Sequence, residues 1–118
     1  MRVGILTSGG DCQALNATMR GLVKALYQQR KDIEIIGFLK GYQGLMYDKV
    51  EAMKKTYKKL KLDCLVVLGG NGSLKSANML AQEGLNVIGL PKTIDNDTWG
   101  TDYTFGFQSA VDIATNYL

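Results

Sequence analysis

Short apolar runs alternate along the chain with longer segments in which apolar residues recur every three or four positions. The short runs are continuous and rich in Val, Ile and Leu, which is typical of parallel strands covered on both faces. The longer segments predict helices that each bury one apolar face. The pattern predicts strands at 2–7, 33–39, 63–68 and 86–90, with helices at about 13–30, 48–60 and 106–118 and a further helix that ends near 83.

Polar and glycine residues mark where these elements begin and end. Asp11 and Asp48 precede the first two helices, where an aspartate can accept hydrogen bonds from free main-chain N–H groups. Gly84 follows the third helix and suits the left-handed residue that commonly ends one. Pro91 is predicted to stop the fourth strand, and an irregular polar loop is expected from 92 to about 101.

The alternation of strands and helices predicts an α/β fold, because parallel strands are joined by long crossovers that usually contain a helix. With right-handed crossovers, we expect a three-layer, doubly wound sheet of about four parallel strands in the order 2-1-3-4, similar to flavodoxin-like and Rossmann-like domains. Ligands of such sheets bind beyond the carboxyl ends of the strands, where the strand order reverses. Here that point lies between the first and third strands.

The composition is that of one soluble globular domain, residues 1–118. Hydrophobic residues make up 46% of the chain and charged residues 21%, which argues against a disordered chain. No apolar run approaches the ~20 residues that span a bilayer, and a signal-peptide pattern is absent, so we expect a cytoplasmic protein with no membrane partner. The net charge of +3 is too small to indicate a nucleic-acid partner. Without His, and with only Cys12 and Cys64, a zinc site is not expected.

Two glycine-rich turns each follow a predicted strand and precede a predicted helix. They are Ser8-Gly9-Gly10-Asp11 and Gly69-Gly70-Asn71-Gly72-Ser73. Glycine lets the main chain approach a ligand closely, and a helix amino-terminus directs unpaired N–H groups towards it, so phosphate is the natural ligand. A single Gly-Gly turn is equally well explained as an ordinary turn. Two such turns at one edge of a sheet favour a phosphate-binding site.

A third loop, from Pro91 to Asp97, adds charged groups at the same edge. Asp95 or Asp97 can accept a proton from an alcohol or hold magnesium, and Lys92 can neutralise a transferring phosphoryl group. Taken alone, Asp95-Asn96-Asp97 is better explained as a solvated turn. Opposite two phosphate-binding turns, the loop indicates phosphoryl transfer.

These three loops, followed by Gly100-Thr101-Asp102 and Gly106-Phe107, resemble the motifs of the 6-phosphofructokinase family in the same order. The resemblance covers nearly the whole chain and corresponds to the amino-terminal, donor-binding part of those enzymes. It implies transfer of a phosphoryl group to the 1-hydroxyl of fructose 6-phosphate, a glycolytic step, with magnesium and a phosphoryl donor as the other participants.

The resemblance also implies roles for individual residues. Asp95 is implied as the acceptor of the proton from the attacking hydroxyl, with Thr93 contacting the sugar phosphate and Asp97 supporting the magnesium and the loop. Lys92 is grouped with them as a catalytic residue. The residues implied at the donor site are Gly10, Tyr42, Gly70, Asn71, Gly72 and Ser73, and Asn71 stands where the family usually has a magnesium-binding Asp.

The choice of donor follows from the same resemblance. In the family, a Gly at the position of Gly72 leaves room for the α-phosphate of ATP, whereas an Asp there favours pyrophosphate. Lys92 points the other way, because pyrophosphate-using relatives carry Lys at that position. We expect ATP rather than pyrophosphate, since Gly72 controls steric access.

Three departures from the family pattern lower the expected activity. Asn71 is neutral, a Gly-Gly-Thr segment with a downstream Arg is absent near Tyr47-Asp48, and the family's second half does not follow. Comparable arginine contacts are worth ~10³–10⁵ in rate in other phosphoryl-transfer enzymes. We therefore expect an incomplete domain with weak or no activity alone, and self-association through surface that the truncation exposes. The alternative is an engineered or excised nucleotide-binding or structural module without catalysis.

Overall fold

One parallel sheet with helices on both faces makes up the part of the chain that the computed structural model describes, residues 1–44 and 50–118. The strands lie in the order β2-β1-β3-β4-β5, all parallel. The predicted α/β class and the predicted order of the first four strands are therefore confirmed. In chain order the elements are β1 (Arg2–Thr7), α1 (Leu15–Gln29), β2 (Glu34–Phe38), a 3₁₀ turn (Gly41–Gln43), α2 (Val50–Lys59), β3 (Cys64–Gly69), α3 (Asn71–Gln82), β4 (Val87–Thr93), β5 (Phe105–Gly106) and α4 (Phe107–Asn116).

The two central strands carry most of the core. All six residues of β3 are buried, and Leu6, Leu65 and Leu68 have no exposed surface. Successive side chains of a strand point to opposite faces, so the apolar runs of β1 and β3 contribute buried side chains to both faces of the sheet. This explains why their sequences are continuously apolar rather than alternating.

Each face of the sheet has its own apolar cluster. On one face α1 packs with Leu15, Met19 and Leu22 against side chains that include Val3 and Val66. On the other face, α2 and α3 pack against the remaining side chains of the same strands, with members that include Leu6, Tyr42, Met53, Tyr57, Leu65, Val67, Ala77 and Leu80. The predicted three-layer arrangement follows from these two clusters.

The far edge of the sheet differs from the prediction. β4 does not stop before Pro91 but continues to Thr93, with Pro91 opposite Gly69 of β3. A proline is tolerated there because pairing of β4 with the next strand begins only at Lys92, so at Pro91 the side of β4 away from β3 is an open edge. The sheet also has a fifth strand, β5, paired through Lys92 and Thr93. Two residues are too short a strand for an apolar pattern to reveal.

The first helix also begins differently from the prediction. α1 starts at Leu15 with Ala14 at the capping position, and no side chain caps it. Asp11 lies earlier and accepts a hydrogen bond from the Cys12 main-chain N–H at 2.8 Å. The prediction that Asp11 caps this helix is therefore wrong, because the residues between Asp11 and Leu15 form a turn. Gly84 ends α3 with φ +88°, as predicted, whereas Asp48 lies outside the described residues.

Within the described residues, none of the helices combines the length and the apolar character that crossing a bilayer requires.

Candidate functional site

The three predicted loops meet at one cavity of about 360 Å³. β1, β3 and β4 lie side by side, so their carboxyl ends bring the loops to a common edge of the sheet. Seven residues predicted for the site line this cavity. They are Gly10, Gly70, Gly72, Ser73, Lys92, Thr93 and Asp95, and the other lining residues are Gly9, Asp11, Cys12 and Ile94.

The two glycine turns contact each other at the carboxyl ends of β1 and β3. The Ser8 N–H donates to the carbonyl oxygen of Leu68 at 2.9 Å. Gly69 is close to the start of α3, since a Cβ built on it would lie 2.4 Å from the Cβ of Ser73. Glycine is therefore required at that position for helix and strand to meet closely. Gly9 has φ +82°, which turns the chain at the end of β1.

The second turn opens directly into α3. Gly70 occupies the capping position without a side-chain cap, and the helix begins at Asn71. The first main-chain N–H groups of a helix have no partner within it, so this turn offers donors at the cavity wall. A Cβ on Gly72 would meet no atom within 4 Å. Gly72 therefore leaves open space beside those donors.

Lys92 connects the third loop to the first. Only 3% of its surface is exposed, and its Nζ donates to the carbonyl oxygen of Gly10. Because Lys92 also lines the cavity, its positive charge lies where an anionic ligand would bind.

Hydrogen bonds from neighbouring residues shape the acidic loop. The Asp95 N–H donates to Thr93 Oγ1 at 3.2 Å, and Thr104 Oγ1 donates to the Thr93 carbonyl oxygen at 2.6 Å. Asn96 has φ +50° and accepts from the Thr104 N–H through Oδ1 at 2.9 Å. These contacts hold Thr93 and Asp95 towards the cavity. The sequence interpretation missed the roles of Asn96 and Thr104. The only signal for Asn96 was that Asn tolerates a left-handed conformation, and Thr104 carried none.

Asn71 and Asp97 touch each other beside the cavity rather than lining it. The Asn71 Nδ2 donates to the main-chain carbonyl oxygen of Asp97 at 3.2 Å. The pair therefore ties the start of α3 to the acidic loop. Among the described residues, no group of three or more Asp, Glu, Cys or His side chains could hold a metal ion.

Tyr42 lies on a neighbouring cavity of about 460 Å³, formed by the ends of β1 and the 3₁₀ turn. Its ring is buried in the core, and its hydroxyl donates to the Ser73 carbonyl oxygen at 2.6 Å. Gly9 lines both cavities, so they adjoin. The structure places Tyr42 next to the predicted donor site, where it contacts the first turn of α3.

A family model described as phosphofructokinase matches the chain over residues 2–56 and 46–118. The relatives that this chain resembles include the ATP-dependent 6-phosphofructokinase of Spirochaeta thermophila. The two are 50% identical over 98% of this chain and 43% of the Spirochaeta protein. Another, from Propionibacterium freudenreichii, is 44% identical over 98% of this chain and 41% of its own length. The chain thus spans less than half the length of these relatives.

The alignment with the Spirochaeta protein also indicates a difference in length within the aligned region. It extends over 158 positions, and since the chain has 118 residues, at least 40 of those positions have no counterpart in it. The two family-model matches overlap at 46–56.

Solved structures support the fold. A phosphofructokinase of Pichia pastoris in the T-state superimposes with a TM-score of 0.86 at 23% identity, covering 98% of this chain and 18% of the yeast chain. A pyrophosphate-dependent phosphofructokinase from Marinobacter aquaeolei gives 0.78 at 20% identity, covering 98% of this chain and 39% of its own. At these identities the likeness establishes the architecture.

Proposed function

Because the chain belongs to the phosphofructokinase family, we propose that its three loops form the binding site for the phosphoryl donor, and that this donor is ATP. The observation that carries the proposal is the single cavity lined by both glycine turns and by Lys92, Thr93 and Asp95. Main-chain N–H groups of the α3 amino-terminus and the ammonium of Lys92 are suited to a polyphosphate. The adjoining cavity beside Tyr42 offers room for the nucleoside.

The acidic loop supplies the acceptor side of the proposed reaction. In the family's reaction the 1-hydroxyl of fructose 6-phosphate attacks the terminal phosphorus of the donor, and the bond from that phosphorus to the bridging oxygen breaks. Asp95 is proposed to take the hydroxyl proton, since its carboxylate lies at the cavity wall. Thr93 is proposed to contact the sugar phosphate, and Lys92 to offset the charge on the transferring group.

Two residues bear on the choice between ATP and pyrophosphate. Gly72 supports ATP, because the space beside it is open to a larger polyphosphate chain. The Spirochaeta and Propionibacterium relatives are also ATP-dependent. Lys92 favours pyrophosphate as the second candidate, because the resemblance implies a Lys at this position in the pyrophosphate-using relatives. We give the open space more weight, because steric exclusion acts on the nucleotide directly.

Magnesium is proposed to arrive with the nucleotide rather than to occupy a site made by the protein alone. The described residues offer no cluster of three acidic or sulfur ligands, and Asn71 contributes at most an amide oxygen. Mg²⁺ commonly keeps several waters and binds through substrate phosphates with one or two protein ligands. Such a donor set suits a metal held mainly by ATP, with Asp97 acting through the loop.

Turnover by this chain alone is proposed to be weak or absent. At least 40 positions of the alignment with the Spirochaeta relative have no counterpart in the chain, which spans less than half of the relatives' length, and the resemblance implies that the arginine segment is among the absent positions. We propose a donor-binding domain that acts in the cytoplasm on ATP and fructose 6-phosphate only with the missing parts. The alternative, a bare structural module, predicts that ATP does not bind.

Calorimetric titration with MgATP tests the donor site. The chain is expected to bind with saturable heat, and Gly72→Asp to weaken binding at least about tenfold by placing a carboxylate against the phosphates. The variant should fold normally, because no atom lies within 4 Å of the new Cβ. Gly37→Asp is the matched control, since Gly37 of β2 is exposed and equally open.

The outcomes separate the two candidate functions. Equal weakening by both substitutions contradicts the proposed site, and absence of heat with the unchanged chain supports the structural module. A coupled assay with fructose 6-phosphate then measures turnover. Rates typical of a kinase, about 1–100 s⁻¹, would refute the claim that the missing parts are needed.

A further inference from the structure

Lys40 is the one charged residue among the described residues that line the cavity beside Tyr42. The lining residues of this Tyr42 cavity are Thr7, Ser8, Gly9, Lys40, Gly41, Tyr42 and Gln43. Within the part of the chain that the structure describes, none of the salt bridges includes Lys40. Lys54, by contrast, is paired with Glu51 and Glu83. The charge of Lys40 is therefore available to attract an anion into the cavity.

The main chain at Lys40 adopts a left-handed conformation, with φ 60° and ψ 30°. Residues other than glycine seldom do so except where a helix ends, and Lys40 follows the strand β2. Gly41 is also left-handed and packs on β1, since a Cβ built on it would lie 2.5 Å from the Thr7 carbonyl oxygen. This turn brings Lys40 to the carboxyl end of β1, beside Gly9. Unfavourable backbone conformations of this kind are concentrated at ligand-binding sites.

A nucleotide that occupies both cavities passes Gly9, because this residue lines each of them. In the proposed donor site the terminal phosphates lie among the three loops and the nucleoside lies in the Tyr42 cavity. The phosphate that is bonded to the nucleoside, the α-phosphate, then lies where the cavities adjoin. Lysine binds phosphate as a compact charge on a long, flexible side chain, so Lys40 is suited to this group. Pyrophosphate has no nucleoside and requires only the cavity among the three loops.

We propose that Lys40 determines the specificity of the donor site, because its ammonium binds the α-phosphate of ATP and makes no contact with pyrophosphate. The inference rests on the proposed donor function and assigns to that site a residue outside both glycine turns and the acidic loop. Selectivity is a difference between two affinities, so a contact made only with the nucleotide raises the preference for ATP. This attraction adds to the open space at Gly72, which acts by admitting the larger ligand.

Calorimetric titration of Lys40→Asn with MgATP, magnesium pyrophosphate and inorganic tripolyphosphate tests the assignment. Asparagine removes the charge and tolerates the left-handed conformation, so the thermal midpoint of unfolding should not fall. The affinity for MgATP is expected to fall about tenfold, as for a lost hydrogen bond to a charged group. Tripolyphosphate has a third phosphate and should be weakened similarly, whereas pyrophosphate affinity should change less than about twofold. Lys40→Arg keeps the charge and should keep the affinity for ATP.

Lys61→Asn is the matched control, because Lys61 is also exposed and left-handed, with φ 53°, but lies at the opposite edge of the sheet, before β3. It removes the same charge and should change none of the three affinities. The inference is overturned if Lys40→Asn leaves ATP affinity unchanged, weakens ATP no more than Lys61→Asn does, or weakens ATP and pyrophosphate equally. Weakening of ATP without weakening of tripolyphosphate contradicts the contact with the phosphate. Absence of ATP binding by the unchanged chain instead contradicts the proposed donor site itself.

Discussion

Lys92 is a charged side chain held almost entirely out of water, with 3% of its surface exposed. Burying an ammonium group is unfavourable unless hydrogen bonds replace the lost water. The carbonyl oxygen of Gly10 accepts such a bond from Nζ, so the first glycine turn partners the lysine. Lys92 therefore fixes the position of that turn and places a positive charge at the cavity wall.

The alkylation rate of Cys12 can show whether a ligand occupies the cavity, because this residue lines the cavity and is partly exposed. We expect MgATP at ten times its dissociation constant to slow alkylation of Cys12 about tenfold, since bound ligand covers the thiol. The measurement is the rate of iodoacetamide incorporation, followed by mass spectrometry of peptides.

Cys64 is the internal control for that experiment. It is buried in β3, and burial raises the pKa of its thiol, so little reactive thiolate is present at neutral pH with or without ATP. If ATP binds but leaves the alkylation rate of Cys12 unchanged, the nucleotide occupies another part of the surface.

At the scale of elements, Tyr42 joins the 3₁₀ turn to α3 through its hydrogen bond to the Ser73 carbonyl oxygen. Tyr42→Phe should lower the free energy of unfolding by about 1 kcal/mol, because that carbonyl loses a buried donor. The same change should weaken ATP binding several-fold, since the start of α3 carries the second glycine turn. Chemical denaturation and calorimetry measure the two effects.

Tyr27→Phe is the matched control, because Tyr27 lies on α1 in the opposite layer and is 46% exposed. It should change neither quantity measurably. Loss of stability without loss of ATP affinity in Tyr42→Phe would contradict the claim that this bond positions the donor site.

The strands that a sequence pattern could identify are those whose side chains are buried on both faces. β1 and β3 have this property, so continuous apolar runs placed them correctly. β5 was missed because two residues carry no pattern, and the extension of β4 through Pro91 was missed because it depends on pairing with distant residues. Similarly, the start of α1 at Leu15 is set by the turn at Cys12, which capping preferences do not reveal.

For the whole molecule, the meeting of the three loops was predictable because parallel strands place their carboxyl ends at one edge. That rule uses only strand order, and the order of the first four strands was correct. The contacts that hold the loops together were not predictable, since Lys92 with Gly10 and Tyr42 with Ser73 depend on three-dimensional packing.

The central claim is that both glycine turns and the acidic loop bind one polyphosphate together. Amide NMR spectra recorded during titration with MgATP test this most directly, because each loop carries its own reporter signals. The account predicts that the amides of Gly10, Gly72 and Asp95 shift together with one dissociation constant. Shifts confined to a single loop, or shifts of the three loops with different dissociation constants, would contradict it.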